Sequence, residues 1–98
     1  MTRHQITARL REMASELRSR GVAALYLFGS TSRDEAGAGS DIDLFIDCNA
    51  DARLSLFDLA GLKQHLENQL KAEVDLTTRD SLHPMLRSEI EKSAIQVF

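Results

Sequence analysis

Ser40-Asp41-Ile42-Asp43-Leu44-Phe45-Ile46-Asp47-Cys48 is the stretch on which the fold turns. Asp41, Asp43, Phe45 and Asp47 alternate with Ile42, Leu44, Ile46 and Cys48, and a period of two puts the two sets on opposite faces of a β-strand. One face is apolar and suits a core. The other begins with two carboxylates, whose Cα atoms two residues apart stand roughly 6.6 Å from each other on one side. Carboxylates at that spacing repel one another in water-poor surroundings, but their oxygens can converge on a cation at Mg²⁺ distances of about 2.0–2.1 Å. Asp is a poor strand former, so two of them in one short strand need a reason. By itself the pair also fits an ordinary solvated strand face.

The segments on either side complete the pattern. Val22 to Phe28 is a continuous apolar run of strand length, as expected of a strand covered on both faces. It ends at Gly29-Ser30, where a glycine lets backbone approach a ligand and turn N–H groups with a hydroxyl can hold phosphate oxygens; Arg33 follows as a positive partner. Thr31 to Ser40 is polar, contains Gly37 and Gly39, and reads as a loop. Downstream, Leu59, Leu62, Leu66 and Leu70 form the stripe of a helix begun near Asp51 or by a Ser55…Asp58 capping box. Val74-Asp75-Leu76-Thr77-Thr78 reads as a third strand, interrupted by a carboxylate that would be costly to bury unpaired.

The ends are helical. Ile6, Leu10, Met13 and Leu17 make one stripe over residues 3–20, with a Thr2…Gln5 capping box at its start and Gly21 at its exit. Pro84 suits the first turn of a last helix carrying Leu82, Leu86, Ile90 and Ala94 at four-residue steps, and Ile95 to Phe98 could add a strand. The order is helix, strand, loop, strand, helix, strand, helix, which predicts an α/β (α+β) fold: a small sheet of three or four strands with helices mainly on one face.

Composition narrows the function classes. The chain has 98 residues with 43% hydrophobic and 28% charged side chains, which predicts a single domain over residues 1–98. Its net charge of −3, few aromatics and absence of Trp argue against generic nucleic-acid binding. Residues 1–20 carry five basic and two acidic side chains, most simply a solvated helix face. The one cysteine, Cys48, cannot form an internal disulfide and reads as a small core residue. With no apolar run of membrane-span length and no signal-peptide core, a cytoplasmic location is expected. Asp47, Asn49, Asp51 and Asp58 mimic a calcium loop, but its sixth position is Ala52 where the sharp turn needs Gly. No Gly-x-Ser-x-Gly elbow surrounds Ser30, and His4, His65 and His83 lack metal-ligand spacing.

Gly29-Ser30-Thr31-Ser32-Arg33, then Ser40-Asp41-Ile42-Asp43-Leu44, then Val74-Asp75-Leu76 resemble the DNA polymerase β-like nucleotidyltransferase superfamily, and more narrowly the minimal nucleotidyltransferase (MNT) antitoxins. Nine residues separate Ser30 from Ser40, as is usual there, and Leu82 to Val97 resembles the family's tail; Asp34 stands where the family often has Gly. The resemblance implies the polymerase β-like fold with its mixed strand order. It implies an antitoxin of a type VII-like toxin–antitoxin pair, a protein adenylyltransferase that uses Mg²⁺, with a two-metal site, to move AMP from ATP to a tyrosine of a HEPN-domain RNase toxin and release pyrophosphate. Asp41 and Asp43 would ligate the metals, Asp75 would be third ligand or base, and Gly29, Ser30, Arg33 and Ser40 would hold the nucleotide. A complex with the HEPN protein is expected, with no membrane and no direct nucleic-acid contact. Two alternatives are an antitoxin that acts by covering its toxin without catalysis, and a nucleotidyltransferase subunit for a small molecule or RNA end that works with a separate helical chain.

Overall fold

The computed structural model describes residues 2–29 and 41–98. Two short helices, α1 (Arg3–Glu12) and α2 (Ala14–Ser19), lead into strand β1 (Val22–Phe28). Then come β2 (Ile42–Cys48), helix α3 (Leu56–Leu70), β3 (Val74–Thr78), a 3₁₀ turn at Arg79–Ser81, helix α4 (Pro84–Ser93) and a short β4 (Ile95–Gln96). The four strands form one mixed sheet in the order β3-β2-β1-β4. β1 runs antiparallel to both β2 and β4, while β2 and β3 are parallel and joined through α3.

Local chemistry explains most of these boundaries. Thr2 and Gln5 form a reciprocal capping box at the start of α1, and Ser55 and Asp58 form another at the start of α3, each satisfying backbone N–H groups that a helix start leaves unpaired. Gly21, with φ +101, makes the left-handed turn into β1. Pro84 opens α4, where the His83 ring accepts from the Met85 N–H. The stretch expected as one helix over 3–20 is instead two, with a break at Met13 (φ −92, ψ 0). There the Met13 N–H bonds to the Leu10 carbonyl three residues back, a tightening that leaves Leu10, Met13 and Leu17 all buried.

The sheet has two unlike faces. Leu25 and Leu27 of β1, Ile42, Leu44 and Ile46 of β2 and Val74 of β3 pack with Ile6, Leu10, Met13 and Leu17 and with Leu62, Leu66 and Leu70 of α3. Each such buried aliphatic side chain contributes about 1.5–3 kcal/mol of transfer free energy. On the opposite face Tyr26 stacks on Phe45 with ring centroids 4.6 Å apart, and Phe28 tilts against the same ring. The Arg79 guanidinium lies over Tyr26 and Phe45 and also bonds Glu91, which ties α4 to this second face. The period of the α4 stripe leaves open whether it faces the core or a partner, and it is not a core stripe: Leu82 is buried, but Leu86 is 55% exposed and no residue of α4 is buried. Polar anchoring through Arg79 replaces it.

The basic face of the first helices does more than dissolve. Arg11 donates to the Val97 carbonyl, and the Arg18 guanidinium sits 5.0 Å from the Phe98 ring centroid, so the two pin the last residues beside β1. Among the described residues, no helix is long and apolar enough to cross a membrane.

Candidate active site

The C-terminal end of β1 and the N-terminal ends of β2 and β3 meet at one end of the sheet. In the register, Asp43 lies opposite Phe28 on β1 and opposite Asp75 on β3. Register partners on neighbouring parallel strands point to the same face, with backbones about 4.8 Å apart. Asp43 and Asp75 therefore stand side by side on the face opposite the helical core, with Asp41 just before β2. Like charges placed directly opposite on a sheet disfavour it, so this pairing is not there for stability.

The electrostatics agree with the geometry. Burial holds the Asp43 carboxyl above its ordinary range, and the charges of Asp75 and Asp41 push it further in the same direction. The other two predicted carboxylates thus lie near enough to act on Asp43. Among the described residues, however, no three acidic, His or Cys side chains are gathered tightly enough to hold an ion unaided. Mg²⁺ seldom needs that. It keeps several waters and takes one or two carboxylates together with substrate phosphates, and hard carboxylate oxygens are the donors it prefers. The donor set fits such an ion.

Gly29 completes this end of the sheet in a way the sequence did not suggest. Its φ is +74, and a Cβ added there would overlap Oδ2 of Asp43, with Cγ only 3.2 Å away. The glycine makes room for the aspartate itself as well as for any ligand. Ser30, Arg33 and Ser40, the other residues expected to hold a nucleotide, lie outside the described residues.

A cleft of about 320 Å³ opens on the β3 side of these carboxylates, lined by Asp41, Lys63, Glu67, Glu73, Val74 and Asp75. Glu67 is partly committed, since its carboxylate accepts from the Val74 N–H at 3.0 Å and anchors the start of β3. Lys63 and Glu73 gave no signal in the sequence: a lysine on the polar side of a helix looks the same wherever the helix docks. A larger cleft, about 550 Å³ between Arg18–Gly21 and Asn49–Ala52, lies at the other end of the sheet. Six residue steps along β2, roughly 20 Å, separate it from the acids.

The residues set aside in the sequence have structural employment. Both carboxylate oxygens of Asp47 are held by Arg79, which removes the first ligand of the calcium-loop mimic. His65 pairs with Glu16 at 3.0 Å. Burial, then Asp47 and Asp80, push the Cys48 thiol up, which makes it a poor nucleophile.

A family profile described as "Nucleotidyltransferase domain" matches residues 9–97. The chain belongs to the minimal nucleotidyltransferase family. A Methanocaldococcus jannaschii chain, provisionally named a protein adenylyltransferase, is 38% identical over 87 residues, covering 89% of this chain and 91% of its own. The protein adenylyltransferase MntA of Thermococcus cleftensis is 32% identical over 98 residues, covering 99% of this chain and 97% of its own. A solved structure provisionally described as a minimal nucleotidyltransferase superposes with a TM-score of 0.82 at 33% identity, covering 97% of this chain and 95% of that one. The complex of a tri-AMPylated Shewanella oneidensis HEPN toxin with an MNT antitoxin shares the fold, with a TM-score of 0.69 at 22% identity over 99% of this chain and 72% of that one.

For this nucleotidyltransferase, Gly29→Ala is expected to do two separate things. Forcing a Cβ into the left-handed region costs about 1 kcal/mol of stability. On the reading proposed below, displacing the Asp43 carboxylate by even a fraction of an ångström is expected to lower the nucleotidyl-transfer rate by about tenfold to a hundredfold. A melting curve and a rate measurement on the same preparation separate the two effects.

Proposed function

We propose that the chain is an antitoxin that works as a Mg²⁺-dependent protein adenylyltransferase. It transfers AMP from ATP to a tyrosine of a HEPN-domain toxin in the cytoplasm, its 98 residues acting as one catalytic domain. The observation that carries the reading is the side-by-side register of Asp43 and Asp75 beside Gly29, with Asp41 within electrostatic reach. Its support from relatives is the adenylyltransferase name of the T. cleftensis protein and the toxin complex of the S. oneidensis antitoxin.

In this reading Asp41 and Asp43 would hold the metal, with Asp75 as a third ligand or as the base. Mg²⁺, when bound, offsets the charge of the triphosphate and of the carboxylates. Gly29, Ser30, Arg33 and Ser40 would hold the nucleotide phosphates. The acceptor oxygen forms a bond to the α-phosphorus, the bond from that phosphorus to the bridging oxygen breaks, and pyrophosphate leaves with the electron pair. In this reading Asp75, exposed at the strand end, takes the hydroxyl proton.

The test is incubation of the purified protein with labelled ATP, Mg²⁺ and the product of the neighbouring gene, expected to carry a HEPN domain. The expected result is a mass gain of one or more AMP groups on a tyrosine of the partner. Equal labelling by wild type and by an Asp41→Ala/Asp43→Ala double variant would sink the mechanism. Protection of cells by that double variant as complete as by wild type would favour neutralisation by covering.

A further inference from the structure

Across the end of the sheet, the strand order sets the components in sequence: Gly29 just after β1, Asp43 on β2, Asp75 on β3, and then the cleft of about 320 Å³. If the phosphates lie against Gly29, the opposite flank is the open route to the reacting phosphorus. That route is lined by Asp41 from the segment before β2, Glu73 from the turn before β3, Asp75 from β3, and Lys63 and Glu67 from α3. Four of these are carboxylates. A hydroxyl entering such surroundings is held in its neutral form, because nearby negative charge opposes the anion it must become. Among the described residues, Lys63 is the one basic side chain lining the cleft, and it forms no ion pair with any of them.

We propose that this cleft admits the acceptor, and that Lys63 is the residue that stabilises the acceptor oxygen as it becomes an anion. The proposal rests on the adenylyl-transfer reading above and adds a residue and an approach direction to it. The ammonium donates to the oxygen while the proton leaves for a carboxylate, so Lys63 itself keeps its protons throughout. A lysine is suited to this, being a compact charge on a flexible stem that reaches into the cleft from α3. Its effect falls on the acceptor and not on the nucleotide, because the phosphates sit on the far side of Asp43.

The experiment compares wild type, Lys63→Gln, Lys63→Arg and Asp43→Asn in adenylylation of the purified HEPN-domain partner from pH 6 to pH 9, together with ATP affinity measured by calorimetry. Lys63→Gln should lower the transfer rate at pH 7 by about tenfold, one pKa unit's worth. It should also move the rising limb of the pH profile upward, with ATP affinity unchanged, and Lys63→Arg should restore most of the rate. An unmoved limb, or a loss of ATP affinity of tenfold or more in Lys63→Gln, overturns the proposal while leaving the transfer reading intact. Failure of wild type to label the partner, or full activity in Asp43→Asn, overturns both.

Discussion

Asp43→Asn is expected to abolish transfer and to stabilise the fold at the same time. The rate should fall by at least about a thousandfold, since metal-assisted charge stabilisation is worth several kcal/mol and each 1.36 kcal/mol is a factor of ten. Stability should move the other way. Asp43 faces Asp75 in the sheet register and feels Asp41, and its carboxyl is raised by burial first and by those two charges next. An acid whose pKa is raised by folding is disfavoured in its ionised form in the native state, so at neutral pH it opposes folding. Like charges facing one another across a sheet cost about 0.2–1 kcal/mol, so removing one should raise Tm by a few degrees, roughly 2–4 °C for a gain of about 0.5 kcal/mol. The pH dependence gives the sign. The gain should be full at pH 7, shrink as pH falls through the raised pKa of Asp43, and vanish once the carboxyl is protonated in both folded and unfolded chains. Thermal melts of the two proteins at several pH values check this. A lower Tm for the variant at pH 7 would mean that the acids are already compensated in the free protein.

How far the sequence foretold these features depended on the range of the interactions involved. Both capping boxes, the glycine exit at Gly21 and the Pro84 helix start were readable because each is settled within a few residues. The alternation through Asp41 to Cys48 gave the strand and its two faces for the same reason. That Asp43 would sit opposite Asp75 was not readable from spacing, because a parallel register is fixed by how α3 carries the chain over the sheet. The exit of α3 through Lys71 in the left-handed conformation (φ 52) had no glycine to announce it. Lys63 and Glu73 enter the cleft only once α3 is docked against β3. Arg79 was equally silent: its partners Asp47 and Phe45 on β2, Glu91 on α4 and Tyr26 on β1 come from three separate segments. The Leu82-Leu86-Ile90 periodicity gave the helix and left its burial open, since period reports a face without saying what covers it.

Arg79→Ala should be the most damaging change away from the acidic centre. The guanidinium donates from Nε and Nη2 to the two oxygens of Asp47 at 2.8 and 3.0 Å, and from Nη1 to Glu91 at 2.5 Å. It also lies 4.9 Å from the Tyr26 ring centroid and 5.1 Å from that of Phe45. Its charge is held firmly, with Asp47 and Glu91 raising its pKa above the ordinary arginine value. Removing one member of a buried ion pair costs about 3–5 kcal/mol, and cation–π contact adds about 0.5–1 kcal/mol. With a quarter of the Arg79 side chain and about a third of each partner exposed, solvent screens part of this, leaving an expected loss of about 2–3 kcal/mol. For a domain of this size that lowers Tm by roughly 8–24 °C. Glu91 keeps Arg87 as a partner at 3.2 Å, whereas Asp47 is left without its bidentate donor beside Phe45, so most of the loss should be recovered by removing Asp47 as well. A double-mutant cycle with Asp47→Ala should therefore show a coupling of about 1–2 kcal/mol. Arg79→Lys should keep the charge but lose the fork and the stacking, and fall between wild type and alanine. Asp47 lies four residues, roughly 13 Å, along β2 from Asp43, so transfer rates measured well below the lowered Tm should change little. A fall in Tm of under 2 °C would mean that α4 is held by something other than this arginine. A large loss of activity at low temperature would mean instead that its hold on the second face of the sheet reaches the carboxylates.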